Sequence, residues 1–151
     1  MKLKLEEILK REKIFLNVAG IMIGTRILDT VSTSLAMSEY NSYIERIKRT
    51  IVETHGPPVN PEAYWTTYNY GFGLEQNFIT RDFMERFGIN QGLVLQDLAL
   101  GIPVLGVAYL FNKCGKNNFY GNKMLYVVSA LSTLAAVQNM GIWWQYRQML
   151  Q

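Results

Sequence analysis

Charge is distributed along this chain in a way that few folds can accommodate. Residues 1–13 carry five Lys/Arg and three Glu. The next 25 residues, Ile14–Ser38, contain only Arg26 and Asp29, and the 26 residues Phe87–Asn112 contain only Asp97. The 23 residues Met124–Tyr146 carry no charge at all. A bilayer core about 30 Å thick is crossed by about 20 mostly apolar helical residues. Three stretches of that length in 151 residues predict three membrane spans, at about 14–38, 89–112 and 124–146. The competing reading is a soluble bundle, because Asn17, Gln91, Gln96, Gln138 and Asn139 interrupt the runs. A soluble bundle helix, however, keeps one whole face polar at a 3.6-residue period, and Met124–Tyr146 has no such face. The expected fold is therefore all-α, a single three-span membrane domain.

Composition closes off other classes. Mean hydropathy is +0.02 and 49% of residues are hydrophobic, too apolar for disorder. One cysteine, Cys114, excludes an intrachain disulfide, and the lone His55 leaves no histidine pair for zinc or copper. No metal or cofactor is implied, and no nucleophile–base constellation points to an enzyme. The charged N-terminus, with Leu5, Ile8, Leu9, Phe15 and Leu16 at helical spacing, reads as an interfacial turn entering span one rather than a cleavable signal peptide. The basic head and the short loop Lys113–Lys123, with five and three Lys/Arg, share one side of a three-span topology. Short basic segments stay cytoplasmic, so the chain is expected in the cell membrane with its N-terminus inside and its C-terminus outside. The same net charge of +3 suits anionic headgroups, and no nucleic-acid partner is expected.

Between spans one and two lies an excursion of about residues 39–88. Tyr40, Tyr43, Ile44, Ile47 and Ile51 form an apolar stripe at helical spacing, Glu45 and Arg49 sit four apart, and His55-Gly56-Pro57-Pro58 stops the helix. The stripe lies on the membrane surface, on the chain itself or, as the preferred assignment, on a partner subunit. Tyr64, Trp65, Tyr68, Tyr70 and Phe72 then read as an interfacial aromatic belt. A short re-entrant or interfacial helix follows, capped near Thr80 and ended by Gly88.

Ionisable groups inside the spans are the candidate site. Arg26 and Asp29 are three apart and can pair with each other. Asp97 has no basic neighbour within a turn, so its partner is Arg26, Arg81 or Arg86, or a cation shared with Asp29 and Glu75, unless it sits near the outer boundary. Gly20 with Gly24 in span one and Ser129 with Thr133 in span three form small-xxx-small pairs for close helix packing. Gly101, Pro103 and Gly106 predict a kink in span two.

The stretches Ile27-Leu-Asp29-Thr-Val-Ser-Thr33 and Gly73-Leu-Glu75-Gln-Asn77 give the chain a resemblance to a prokaryotic family of small three-span membrane proteins of unknown function. Its motifs are Asp-x-x-x-Thr in the first helix and Glu-x-Asn-Pro before the second; here Phe78 stands in place of the proline. The resemblance implies that Asp29, Thr33, Glu75 and Asn77 form one polar cluster near the outer boundary.

Three functions compete. The first is an accessory or structural subunit that packs against and stabilises neighbouring membrane proteins, or against copies of itself. The second is an oligomeric proton or cation transporter using Asp29, Glu75 and Asp97. Three spans without an inverted repeat are few for a transporter, and an intramembrane enzyme ranks last.

Overall fold

The computed structural model describes residues 2–59, 78–114 and 119–151 and is all-α. Four helices follow one another: α1 (Lys2–His55), the short α2 (Phe78–Phe87), α3 (Ile89–Cys114) and α4 (Phe119–Leu150). Parts of α1, α3 and α4 (Glu6–His55, Ile89–Lys113 and Tyr120–Leu150) are long and apolar enough to cross a membrane, which suggests a multi-pass membrane protein in contact with lipid.

The sequence predicts that span one ends and a separate helix begins near residue 39. Instead α1 is one helix of 54 residues. The physical reason is local: from Glu39 to His55 there is neither Gly nor Pro, and Ser42 folds its hydroxyl back onto the Ser38 carbonyl at 3.0 Å rather than breaking the turn. The stop comes where it was expected. Gly56 takes φ +79° and its N–H bonds the Val52 carbonyl at 2.9 Å, a left-handed helix terminus that favours glycine. Gly88, at φ +81°, likewise separates α2 from α3. Thr80 is not the N-cap of α2, since the helix already includes Phe78; it is buried in the first turn. α3 continues through Pro103 as a single element.

Polarity is inverted relative to a water-soluble bundle. Thirty large apolar side chains are exposed among the described residues, Leu16, Leu131, Leu134 and Val137 each by more than 60%. The buried positions include Ser32, Thr33, Thr80, Gln96, Ser129 and Ser132. Leaving that much aliphatic surface in water forgoes stabilisation of about 25 cal/mol per Å². In hydrocarbon the penalty vanishes, and close packing of small and hydroxyl side chains becomes the means of holding helices together.

The chain divides into two compact units. One comprises Met1–Thr30 and Asp97–Ala136. Its core is Val18, Ala19, Met22, Ala108 and Leu125, with Phe15, Leu105 and Val128 packed around it. Here α1 and α3 run antiparallel, since Phe15 stacks on Tyr109 (ring centroids 5.6 Å apart) while Arg26 meets Asp97. The other unit comprises Val31–Gln96 and Val137–Gln151, with Met37, Met84 and Leu93 buried together. In it α1 and α4 run parallel, because Thr33 meets Asn139 and Tyr43 meets Tyr146.

Candidate functional site

Each long helix of the first unit brings one kind of group to a common level. α1 contributes Arg26, Asp29 and Thr30, one turn of polar residues among Ile23, Ile27, Leu28 and Val31, which all point outward. α3 contributes Asp97, and α4 contributes Ser132, which is buried. Asp97 receives hydrogen bonds on both carboxylate oxygens, from the Arg26 Nη2 on one and the Thr30 hydroxyl on the other. The pair is mostly shielded, with the Arg26 and Asp97 side chains 21% and 22% exposed. Arg26 therefore reaches across to α3 instead of pairing only with Asp29, and of the three arginines considered for Asp97 it is the one used. Arg81 and Arg86 are engaged within α2 by Glu85 and Asp82, at 2.8 and 3.0 Å.

The pair sits well inside the apolar run. Within the charge-poor segment 14–38 of α1 the exposed aliphatic side chains extend from Ile14 to Leu35. Arg26 is nine residues from the latter and twelve from the former, or about 13 and 18 Å along the helix. A single charge at such depth is costly, and mutual neutralisation removes most of that cost. Even so, the Arg26 Nε is buried without a hydrogen-bond partner among the described residues.

An open groove of about 540 Å³ adjoins this cluster. Its walls come from all three long helices: Arg26 and Asp29, then Ala99, Leu100, Pro103 and Val104, then Val128, Leu131, Ser132 and Ala135. A smaller cavity of about 270 Å³ lies by Ile8, Arg11, Phe15, Tyr109 and Lys113. Lys113 folds over the Tyr109 ring there, 5.3 Å from its centre, the kind of contact that suits a headgroup level.

In the second unit the polar contacts between the spans are neutral. Asn139 donates to the Thr33 hydroxyl at 2.7 Å, and the Ser34 hydroxyl donates to Asn90 at 2.6 Å. Thr33 thus finds its partner on α4. The cluster of Asp29, Thr33, Glu75 and Asn77 implied by the resemblance is not assembled from the described residues: Asp29 lines the groove, and Glu75 and Asn77 lie outside them. The aromatic belt 64–72 also lies outside the described residues.

The stripe assigned to a partner is used within the chain. Tyr40 and Tyr43 pack on Tyr146 with ring centroids 5.1 and 5.4 Å away, and Ile44 is buried. Ile47 and Ile51 are half-buried. The reason is length: α4 continues to Leu150, far enough to cover the extension of α1. Arg46 then donates to the Met149 and Leu150 carbonyls, which have no acceptor role left inside the helix, and its charge complements the helix C-terminus. Glu45 pairs with Lys48 at 2.9 Å rather than with Arg49.

The packing glycines also differ from expectation. A Cβ at Gly20 or Gly24 would meet nothing within 4 Å, so that pair makes no close helix contact within its own unit. The close approaches are at Gly92, where a Cβ would come within 2.6 Å of the Met84 backbone, and at Gly121, where it would strike the Ala108 carbonyl and Asn112. Ser129 is buried as the small-residue spacing implied, its hydroxyl bonded to the Leu125 carbonyl at 2.8 Å, and Thr133 repeats the bond one turn on to Ser129. Gly121 is a lone glycine and carried no spacing signal; Gly92 lies four residues after Gly88, a small-xxx-small spacing that could have marked it. Among the described residues no three His, Cys, Asp or Glu side chains gather to hold a metal.

No protein family, curated protein or solved structure matches the chain. Of the resemblance carried by the Asp29 and Glu75 motifs, three long apolar helices are what stands.

Proposed function

We propose that this protein is a structural subunit of a larger membrane assembly, inserted with its N-terminus cytoplasmic and its C-terminus outside, where it packs against and stabilises neighbouring subunits. The observation that carries the reading is the use to which Asp97 is put. A carboxylate that moves protons or cations needs its oxygens accessible to them, whereas both Asp97 oxygens are occupied by Arg26 and Thr30. The charged pair then works as a registry device that fixes α1 against α3, a role for which buried polar pairs are well attested. The serine and threonine hydroxyls turned back on their own helices support the same reading, since they allow close packing without demanding a ligand.

Extraction from native membranes in a mild detergent should yield a particle well above 17.4 kDa. A monodisperse monomer under those conditions would sink the proposal. The competing reading, an oligomeric ion transporter, draws on the groove beside Arg26 and Asp29. It requires cation or proton flux in reconstituted vesicles that disappears in Asp97→Asn.

A further inference from the structure

The smaller cavity of the first unit lies where its apolar segments end. It holds about 270 Å³ between α1, which lines it with Arg11, Glu12 and Phe15, and α3, which lines it with Tyr109 and Lys113. The charge-poor segment of α1 starts at Ile14, two residues after Glu12, and that of α3 ends at Asn112, one residue before Lys113. In a bilayer this is the headgroup layer, with the Phe15–Tyr109 stack toward the hydrocarbon. Neighbouring contacts hold the walls in place: Arg11 bonds Glu7 at 2.5 Å, and Asn112 donates to Asn122 of α4 at 2.9 Å.

Those contacts leave donors unspent. A guanidinium has five N–H groups and an ammonium three. Arg11 gives one to Glu7, and Lys113 gives one to the Tyr109 hydroxyl at 3.3 Å, whose own proton stays free to donate. Three donor groups around one small cavity suit phosphate oxygens. Glu12 adds the opposite chemistry: it is exposed, can only accept, and forms no ion pair among the described residues. A headgroup with a phosphate and no amine would satisfy the cations and oppose Glu12. A choline nitrogen has no N–H to offer a carboxylate. A primary ammonium beside a phosphate satisfies both walls. The volume is just under the about 300–1,000 Å³ of small-ligand sites, room for such a headgroup while its acyl chains stay in the lipid over exposed Leu16 and Leu110. We propose that this cavity binds the headgroup of a primary-amine phospholipid, its phosphate on Arg11 and Lys113 and its ammonium on Glu12. The inference requires membrane insertion and is independent of the subunit reading.

The test titrates the full-length protein in detergent with three phospholipids of identical acyl chains and ethanolamine, choline or glycerol headgroups, and counts bound lipid by native mass spectrometry. One ethanolamine lipid should be retained about fivefold more strongly than either of the others. Glu12→Gln should erase the margin over choline and raise retention of the glycerol lipid, whereas Glu12→Asp should keep the preference. Arg11→Gln combined with Lys113→Gln should weaken all three, since all carry the phosphate. Circular dichroism of each variant confirms that a loss is not misfolding. Equal retention of the three lipids, stronger retention of the glycerol lipid by the wild type, or an ethanolamine preference unchanged in Glu12→Gln overturns the inference. Displacement of the lipid by an equal concentration of soluble glycerophosphoethanolamine also overturns it, and would assign the cavity to a soluble phosphate ester.

Discussion

In the unit formed by Met1–Thr30 and Asp97–Ala136, the polar contact between α1 and α3 is ionic, one guanidinium against one carboxylate with a threonine hydroxyl in support. In the unit formed by Val31–Gln96 and Val137–Gln151, the contacts between the spans are an amide on a hydroxyl and a hydroxyl on an amide, Asn139 on Thr33 and Ser34 on Asn90. The two differ in what their loss leaves behind. Removing an amide leaves a hydroxyl that can turn back onto its own helix, as Thr25 and Thr133 do. Removing one ion leaves the other charged, and a hydroxyl of the same helix cannot neutralise it. Strength and specificity are thus concentrated in one pair in the first unit and distributed in the second.

That contrast is open to measurement by unfolding in mixed detergent micelles, followed by circular dichroism. The largest effect should come from Asp97→Ala, which removes the α3 carboxylate from Arg26 and should cost about 3–5 kcal/mol, while the double change Arg26→Leu with Asp97→Leu should recover most of the loss. A single-mutant cost no larger than that of an amide deletion would break the distinction between the units. Next come the tight glycines. Gly92→Ala and Gly121→Ala force a methyl into neighbouring backbone and should each cost about 1–3 kcal/mol. Asn139→Ala should cost only about 0.6 kcal/mol, the average for a hydrogen bond between membrane helices. Smallest of all, Gly20→Ala and Gly24→Ala should leave the isolated chain within about 0.5 kcal/mol of wild type, since neither methyl meets a neighbour.

The spans were legible because a charge gap is a property of composition over 20 or more residues, and the helix ends at Gly56 and Gly88 were legible because each needs a positive φ. Arg26 could be named as a candidate for Asp97 since few cations are within reach of a carboxylate inside an apolar run. Other features were decided by which face of a helix a residue occupies and by what the other helices place there. Asn17, Gln91 and Gln138 look in the sequence like Gln96 and Asn139, yet the first three are exposed, Gln96 is buried and Asn139 is half-buried. The stripe at Tyr40–Ile51 reads the same whether its cover is a partner or the last turns of α4, because nothing local to the stripe records how far another helix extends.

The Arg26–Asp97 pair also sets a problem of timing. Its two members lie 71 positions apart, and α1 is synthesised first. At about 5–20 residues per second, Arg26 waits about 4–14 seconds in the insertion machinery before the aspartate that neutralises it is made. Asp29, one helical turn away, is the only carboxylate within reach during that interval. It lies where it can oppose the arginine's charge until α3 is made, so α1 need not enter the bilayer with an isolated cation.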